Sequence, residues 1–273
     1  MRALVNNSHL FYTEEGPAKG LPVIFLHGFP FNHTMWLAQL KAVAGFCRGV
    51  AYDIRGHGLS DIGDGQYSIE GHVDDLMGLL DALGIGRTVI VGLSMGGYIT
   101  LRALERSPER FLAAVLCDTR SEPDSNEAKL RRFAGVKSVK LEGSAPFAET
   151  FVKALFAPSS FQSNPEAVAM IRQIIESTPP LSLAGSLLAL ASRTDTTPSL
   201  GTMKVPTLIM VGEQDALTPV DASRAMHRLI PGSELHIIPA AGHMSNLENP
   251  DVFNATLLAF LRKVAKANAY PAG

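Results

Sequence analysis

Cysteine is scarce: only Cys47 and Cys117 occur in 273 residues. They lie far apart with no CxxC pair, which excludes a disulfide framework and gives no zinc ligand set. No sign of charge dominates either. Lys+Arg number 24 and Asp+Glu 26, a formal net charge of -2, so there is no electrostatic case for nucleic acid or an anionic membrane surface. No apolar run approaches the roughly 18 residues of a membrane span, and the start Met1–His9 lacks the apolar centre of a signal peptide. A cytoplasmic, reducing location is therefore expected, with Cys117, in the run Leu112–Cys117, a small buried hydrophobe. No P-loop and no GxGxxG is present, which argues against nucleotide dependence.

What is abundant is apolar residues, 46% of the chain against 18% charged, enough for one large α/β domain with an insertion. Strand patterns fall at Arg2–Asn6, His9–Glu14, Pro22–His27, Gly49–Ile54, Thr88–Leu93, Leu112–Asp118, Pro206–Gly212 and Leu235–Ile238. Helical patterns fall between them at His33–Ala44, Ser68–Leu83, Ser94–Arg106 and Pro219–Leu229, and a last helix runs from the Asn249 cap and Pro250 to about Lys266. This alternation predicts a mostly parallel sheet with helices on both faces, and ligands outside the carboxyl ends of its strands. Thr119–Lys204 breaks the rhythm. It carries helical stripes, among them Phe147, Phe151, Leu155 and Phe156, and no buried strand pattern. The expected organisation is a core of 1–118 and 205–273 with a helical segment, 119–204, inserted between the sixth and seventh strands.

The strongest motif is Gly92-Leu93-Ser94-Met95-Gly96-Gly97, placed between a strand and a helix as a nucleophile elbow requires. The glycines allow close backbone approach at a turn tight enough to strain the serine and expose its hydroxyl above a helix N-terminus. A serine nucleophile needs a base, and His243 in Gly242-His243 follows a strand. The base needs an orienting acid. Asp215, just past Pro206–Gly212, completes the chain order serine, acid, histidine; Glu213 and Asp118 also lie at strand ends and compete for the role. Oxyanion stabilisation needs two N–H donors. Met95, following the serine, supplies one, and Phe29 in His27-Gly28-Phe29-Pro30 is the candidate for the second, since Pro30 cannot donate. His27 is read as a brace of that loop.

Four motifs in order, His27–Pro30, Asp53–Ser60, Gly92–Gly97 and Gly242-His243, resemble the α/β-hydrolase superfamily over about Arg2 to Lys266. The resemblance implies an α/β-hydrolase fold, a mostly parallel eight-stranded sheet carrying a helical cap, with Ser94, Asp215 and His243 catalytic and no metal or cofactor. It implies that Asp53–Ser60 is a structural loop, so His57 carries no catalytic role. The chain is similar to small carboxylesterases, cofactor-free haloperoxidases (perhydrolases) and 3-oxoadipate enol-lactonases, and its His-Gly-Phe-Pro loop looks more like the first two. Serine at the elbow sets it apart from the dehalogenase and epoxide hydrolase branches, which use Asp. The implied activity is ester or lactone hydrolysis of a small-molecule substrate through an acyl-enzyme; a non-enzymatic receptor on the same fold is the alternative of another class. Oligomeric state is not indicated. The insertion leaves the sheet at its carboxyl end and so should lie over the site. Its stripe is expected to roof an apolar pocket through Phe147 and Phe151, together with Phe29, Trp36 and Met244. No charged cluster stands out in the insertion, so uncharged acyl groups are expected to be preferred.

Overall fold

Alternating side-chain direction along the strands sorts their residues into two apolar layers. In β3 (Leu21–Leu26) Val23 and Phe25 join one buried cluster while Ile24 and Leu26 join the other. The computed structural model describes residues 1–271. The chain opens with β1 (Arg2–Val5) and β2 (Ser8–Glu15), and after β3 come α1 (Leu37–Val43), β4 (Cys47–Tyr52), α2 (Ile69–Ala82) and β5 (Thr88–Leu93). Then α3 (Met95–Arg106) and β6 (Phe111–Cys117) lead into the inserted segment. That segment holds α4 (Asn126–Glu142), α5 (Ser144–Leu155), α6 (Ser160–Ser163), α7 (Pro165–Ser177) and α8 (Pro180–Ala191). The chain closes with β7 (Thr207–Gly212), α9 (Val220–Leu229), β8 (Glu234–Ile238), α10 (Ser245–Glu248) and α11 (Pro250–Ala267).

One eight-stranded sheet results, in the order β1-β2-β4-β3-β5-β6-β7-β8. β1 and β2 are antiparallel to their neighbours and β4 through β8 run parallel with β3. The expected α/β class and mostly parallel sheet are borne out. One layer packs α1 and α11 on the sheet through Leu40, Phe253, Leu257 and Leu261; the other packs α2 and α3 through Val73, Leu76, Leu80 and Ile99. Local chemistry sets the helix starts. Ser68 caps α2 by accepting the Gly71 N–H at 3.0 Å, and Asn249 caps α11 ahead of Pro250.

Two elements were not anticipated. The expected helix His33–Ala44 begins as a 3₁₀ turn, His33–Trp36, capped by Asn32. Helix α4 has a capping Ser125 but buries only Val139, so its sequence lacks the apolar stripe that marks a helix. α4 packs on α8, and α5 on α7. Among the described residues no single helix is long and apolar enough to cross a membrane.

Burial of imidazoles sets an acid limit on this fold. Desolvation lowers His27 and His72 to about 3 and His57 to about 4. In the unfolded chain each protonates below about 6.5, so between there and about 4 the unfolded state binds more protons and stability falls as pH falls. The buried carboxyls Asp118 and Glu248, raised chiefly by desolvation, act the other way. Three imidazoles against two carboxyls leave a net loss of stability as pH falls below about 6. We expect the melting temperature to drop between pH 7 and pH 5; a flat or rising profile would contradict this.

Candidate active site

The carboxyl ends of five parallel strands deliver the sequence-selected residues to one edge. Phe29 follows β3, Ser94 follows β5, Asp118 follows β6, Asp215 follows β7 and His243 follows β8. Ser94 sits at φ 54 and ψ −112, a left-handed conformation that a side chain adopts only under constraint. Its backbone is held on both sides: Ser94 N–H donates to Cys117 O at 2.9 Å, and Ser94 O accepts from Tyr98 N at 3.1 Å and Thr119 Oγ1 at 2.9 Å. The elbow closes only because its flanks are glycine. A Cβ on Gly92 would strike Gly96 O and Thr100 Oγ1, and one on Gly96 would strike Leu26 O.

His243 Nδ1 is 2.8 Å from Asp215 Oδ2, and both side chains are almost fully buried. The same Asp215 oxygen accepts from Thr218 Oγ1 at 2.6 Å, while Oδ1 accepts the N–H groups of Leu217 and Thr218 at 2.8 and 2.9 Å. Burial alone would raise the Asp215 carboxyl; the His243 charge and these hydrogen bonds outweigh it and hold the carboxyl below its ordinary range. It is therefore a carboxylate with fixed orientation. Asp118 is otherwise placed. Its Oδ1 accepts from Gly212 N–H at 2.8 Å and its Oδ2 meets Ser245 Oγ. Burial first, then the nearby Asp215 charge, pushes its carboxyl well up, toward the protonated form. Glu213 accepts from Ala240 N–H at 3.2 Å. Of the three acids weighed in the sequence, Asp215 alone meets the histidine.

Met95 is the first residue of α3, so its N–H has no acceptor within the helix. Phe29 lies in the turn closed by Phe31 N–H on Gly28 O at 2.9 Å. His27 braces that turn: its Nε2 accepts from Ile54 N–H at 2.9 Å and its Nδ1 lies 2.8 Å from Gly28 O, which fixes the proton on Nδ1. His57 is likewise tied up, between Arg55 O and Ser186 Oγ. In the Asp53–Ser60 loop, Asp53 accepts from His33 N–H and Leu59 N–H at 2.6 and 2.8 Å.

Ser94 and His243 line one cavity of about 100 Å³, together with Phe29, Tyr98, Arg132, Phe151, Leu190, Leu217 and Thr218. Phe147 stands behind this wall, its ring stacked on Phe151 at 5.2 Å and 6.0 Å from Phe29. Two expected pocket residues are elsewhere. Trp36 is fully buried against Phe25 and Phe253 in the core, because the 3₁₀ turn aims it under the sheet. Met244 points into that same core. No charged cluster was expected from the insertion, and a single charged residue of it, Arg132 of α4, lines the cavity.

Sequence reasoning missed Tyr98, Thr218 and Glu248. Tyr98 follows Ser94 by one helical turn on the same face, a spacing that could have found it. Thr218 lies three residues past Asp215. Glu248 had no local signal: its Oε1 accepts from Gly242 and Met244 N–H at 2.8 and 3.2 Å, and its Oε2 from Ala157 N–H and Ser160 Oγ at 2.7 and 2.6 Å. It ties the histidine loop to the inserted segment, as does His243 N–H on Leu155 O at 2.8 Å. The cysteines take no part. Both are buried, and desolvation pushes the Cys47 thiol up to about 12 and raises the Cys117 thiol well above its ordinary value.

A strained serine on a strand–helix elbow, beside a carboxylate-paired histidine at the carboxyl edge of a parallel sheet, defines the class of α/β hydrolases. The chain belongs to the family with the alpha/beta hydrolase fold, whose model matches residues 22–250. It is similar to a thermophilic esterase from Thermogutta terrifontis, whose structure superposes with a TM-score of 0.92 at 38% identity over 97% of this chain and 98% of that one. A non-heme chloroperoxidase of Kitasatospora aureofaciens is 32% identical, covering 93% of this chain and 96% of its own. A 3-oxoadipate enol-lactonase of Acinetobacter baylyi is 29% identical over 93% of each chain.

Proposed function

We propose that the protein is a serine hydrolase of small, mainly apolar carboxylic esters or lactones. The observation that carries the reading is the shared cavity: Ser94 and His243 face it, and Asp215 holds the far side of the imidazole at 2.8 Å. In the proposed reaction Ser94 Oγ gives its proton to His243 Nε2 and attacks the carbonyl carbon. Asp215 keeps the Nδ1–H tautomer and stabilises the imidazolium; the N–H groups of Phe29 and Met95 bind the oxyanion. The carbonyl re-forms, the C–O bond to the alcohol breaks and His243 returns the proton to the departing oxygen. Water then repeats the sequence on the acyl-enzyme, releasing the acid and free Ser94. Residues 119–204 serve as a cap on the core formed by 1–118 and 205–273, and the home of the protein is the cytoplasm.

The esterase and enol-lactonase relatives support this reading, because a lactone is an ester within a ring and calls for the same attack. The test is a p-nitrophenyl ester series of increasing acyl length. Each CH₂ seated between Phe29, Phe151 and Leu190 should add ~0.8 kcal/mol, roughly fourfold in kcat/KM, until the cavity is full. Rates at the buffer background for every ester and lactone would sink the reading.

A further inference from the structure

The even charge of the whole chain conceals a local imbalance on α4. One face of this helix is set by packing: Val139 is fully buried, and Gly135 lies so close to α8 that an added Cβ would be 3.2 Å from the Leu187 side chain. The opposite face is open. Leu130, Phe133, Ala134, Lys137 and Leu141 follow one another at helical spacing and form one outward stripe. Its large apolar side chains, Leu130, Phe133 and Leu141, are 67%, 49% and 73% exposed. α8, packed alongside, shows Leu181 and Leu188 at its own exposed edge. Single exposed leucines are ordinary on a protein surface. Here two adjacent helices hold five of the fourteen exposed large apolar side chains among the described residues, which marks a contact face.

The charge beside the stripe selects what it meets. Lys129, Arg131, Lys137 and Lys140 are set along α4 against Glu127 and Glu142. The salt bridges of the inserted segment engage Arg132, Lys153 and Arg193, and none of these four cations among the described residues. A second copy of the chain fits poorly, because a two-fold contact through this stripe sets the same cations opposite one another. An anionic lipid surface fits on both counts. Apolar side chains enter below the headgroups, while lysine stems lie along them and hold their ammonium groups at the phosphates. With 17 residues, α4 is roughly 25 Å long and can lie flat along such a surface.

We propose that the outward face of α4, with the exposed edge of α8, docks on an anionic phospholipid surface. The helix lies in the plane of the headgroups and does not cross the bilayer. The same helix contributes Arg132 to the wall of the cavity of Ser94 and His243, so docking brings that wall to the membrane, where apolar esters partition. The docking itself is independent of the reading of Ser94 as a nucleophile.

Vesicle co-sedimentation of the full chain tests it. Vesicles of phosphatidylcholine and phosphatidylglycerol in equal parts should retain the protein, vesicles of phosphatidylcholine alone at least tenfold less, and added salt should release it. Lys137→Glu combined with Lys140→Glu should lower the partition coefficient at least tenfold, and Leu130→Ser combined with Phe133→Ser should do the same. All four positions are exposed, so melting temperatures should stay near that of the wild type. The charge pair carries the comparison if the serine pair does not fold. Equal binding to charged and neutral vesicles, binding to neither, or a dimer in vesicle-free buffer that the serine pair dissociates would overturn the proposal. Ser94→Ala should bind vesicles as the wild type does, and both pair variants should keep their turnover of soluble p-nitrophenyl acetate. Loss of docking and loss of hydrolysis are thereby read apart.

Discussion

Ser94→Ala should remove ester turnover by a factor on the order of 10⁴ to 10⁶ while leaving the fold intact. The loss follows from chemistry: alanine offers no oxygen to attack the carbonyl, so only binding and the oxyanion donors remain. The retained fold follows from geometry. The contacts that hold the elbow are those of the Ser94 backbone to Cys117, Tyr98 and Thr119, and all of them survive the substitution. Alanine meets the same strain at φ 54 that serine does, so stability should stay within about 1 kcal/mol. The comparison needs kcat/KM on a reactive p-nitrophenyl ester and a thermal melt. Wild-type turnover in a folded Ser94→Ala protein would remove the elbow from the mechanism.

Asp215→Asn should be nearly as damaging, about 10⁴-fold in kcat by analogy with the serine protease template. The Leu217 and Thr218 N–H groups require an oxygen at the position they bind, which turns the Asn amide nitrogen toward His243. A donor there forces Nδ1 to accept and moves the ring proton to Nε2, where it blocks transfer from Ser94. Asp118→Asn is expected to cost less than tenfold, because Asp118 is held toward its neutral form and an amide reproduces its contacts to Gly212 and Ser245. If Asp118→Asn proves the more damaging change, the acid belongs to the end of β6.

The three residues of the proposed triad were legible in the sequence because each sits just beyond a strand with an apolar pattern. Thr88–Leu93, Thr207–Gly212 and Glu234–Ile238 fix where Ser94, Asp215 and His243 emerge. The preference for Asp215 over Asp118 rests on which carboxylate reaches Nδ1, a distance that chain order only suggests. The pocket wall was less legible. Trp36 was expected to wall the pocket, but the 3₁₀ turn at His33–Trp36 places it in the core. The direction of Arg132 was not legible, because α4 has so little apolar patterning that its helix was not predicted. Glu248 joins Gly242, Met244, Ala157 and Ser160, partners brought together only by the tertiary fold.

The central claim is that Ser94 is an activated nucleophile. A fluorophosphonate probe tests it most directly, because phosphonylation needs a serine whose proton has a base to receive it. We expect one adduct per chain, mapped by peptide mass to the segment containing Ser94, absent in Ser94→Ala and greatly slowed in Asp215→Asn. An adduct on another serine, or no adduct on a folded wild-type protein, would contradict it.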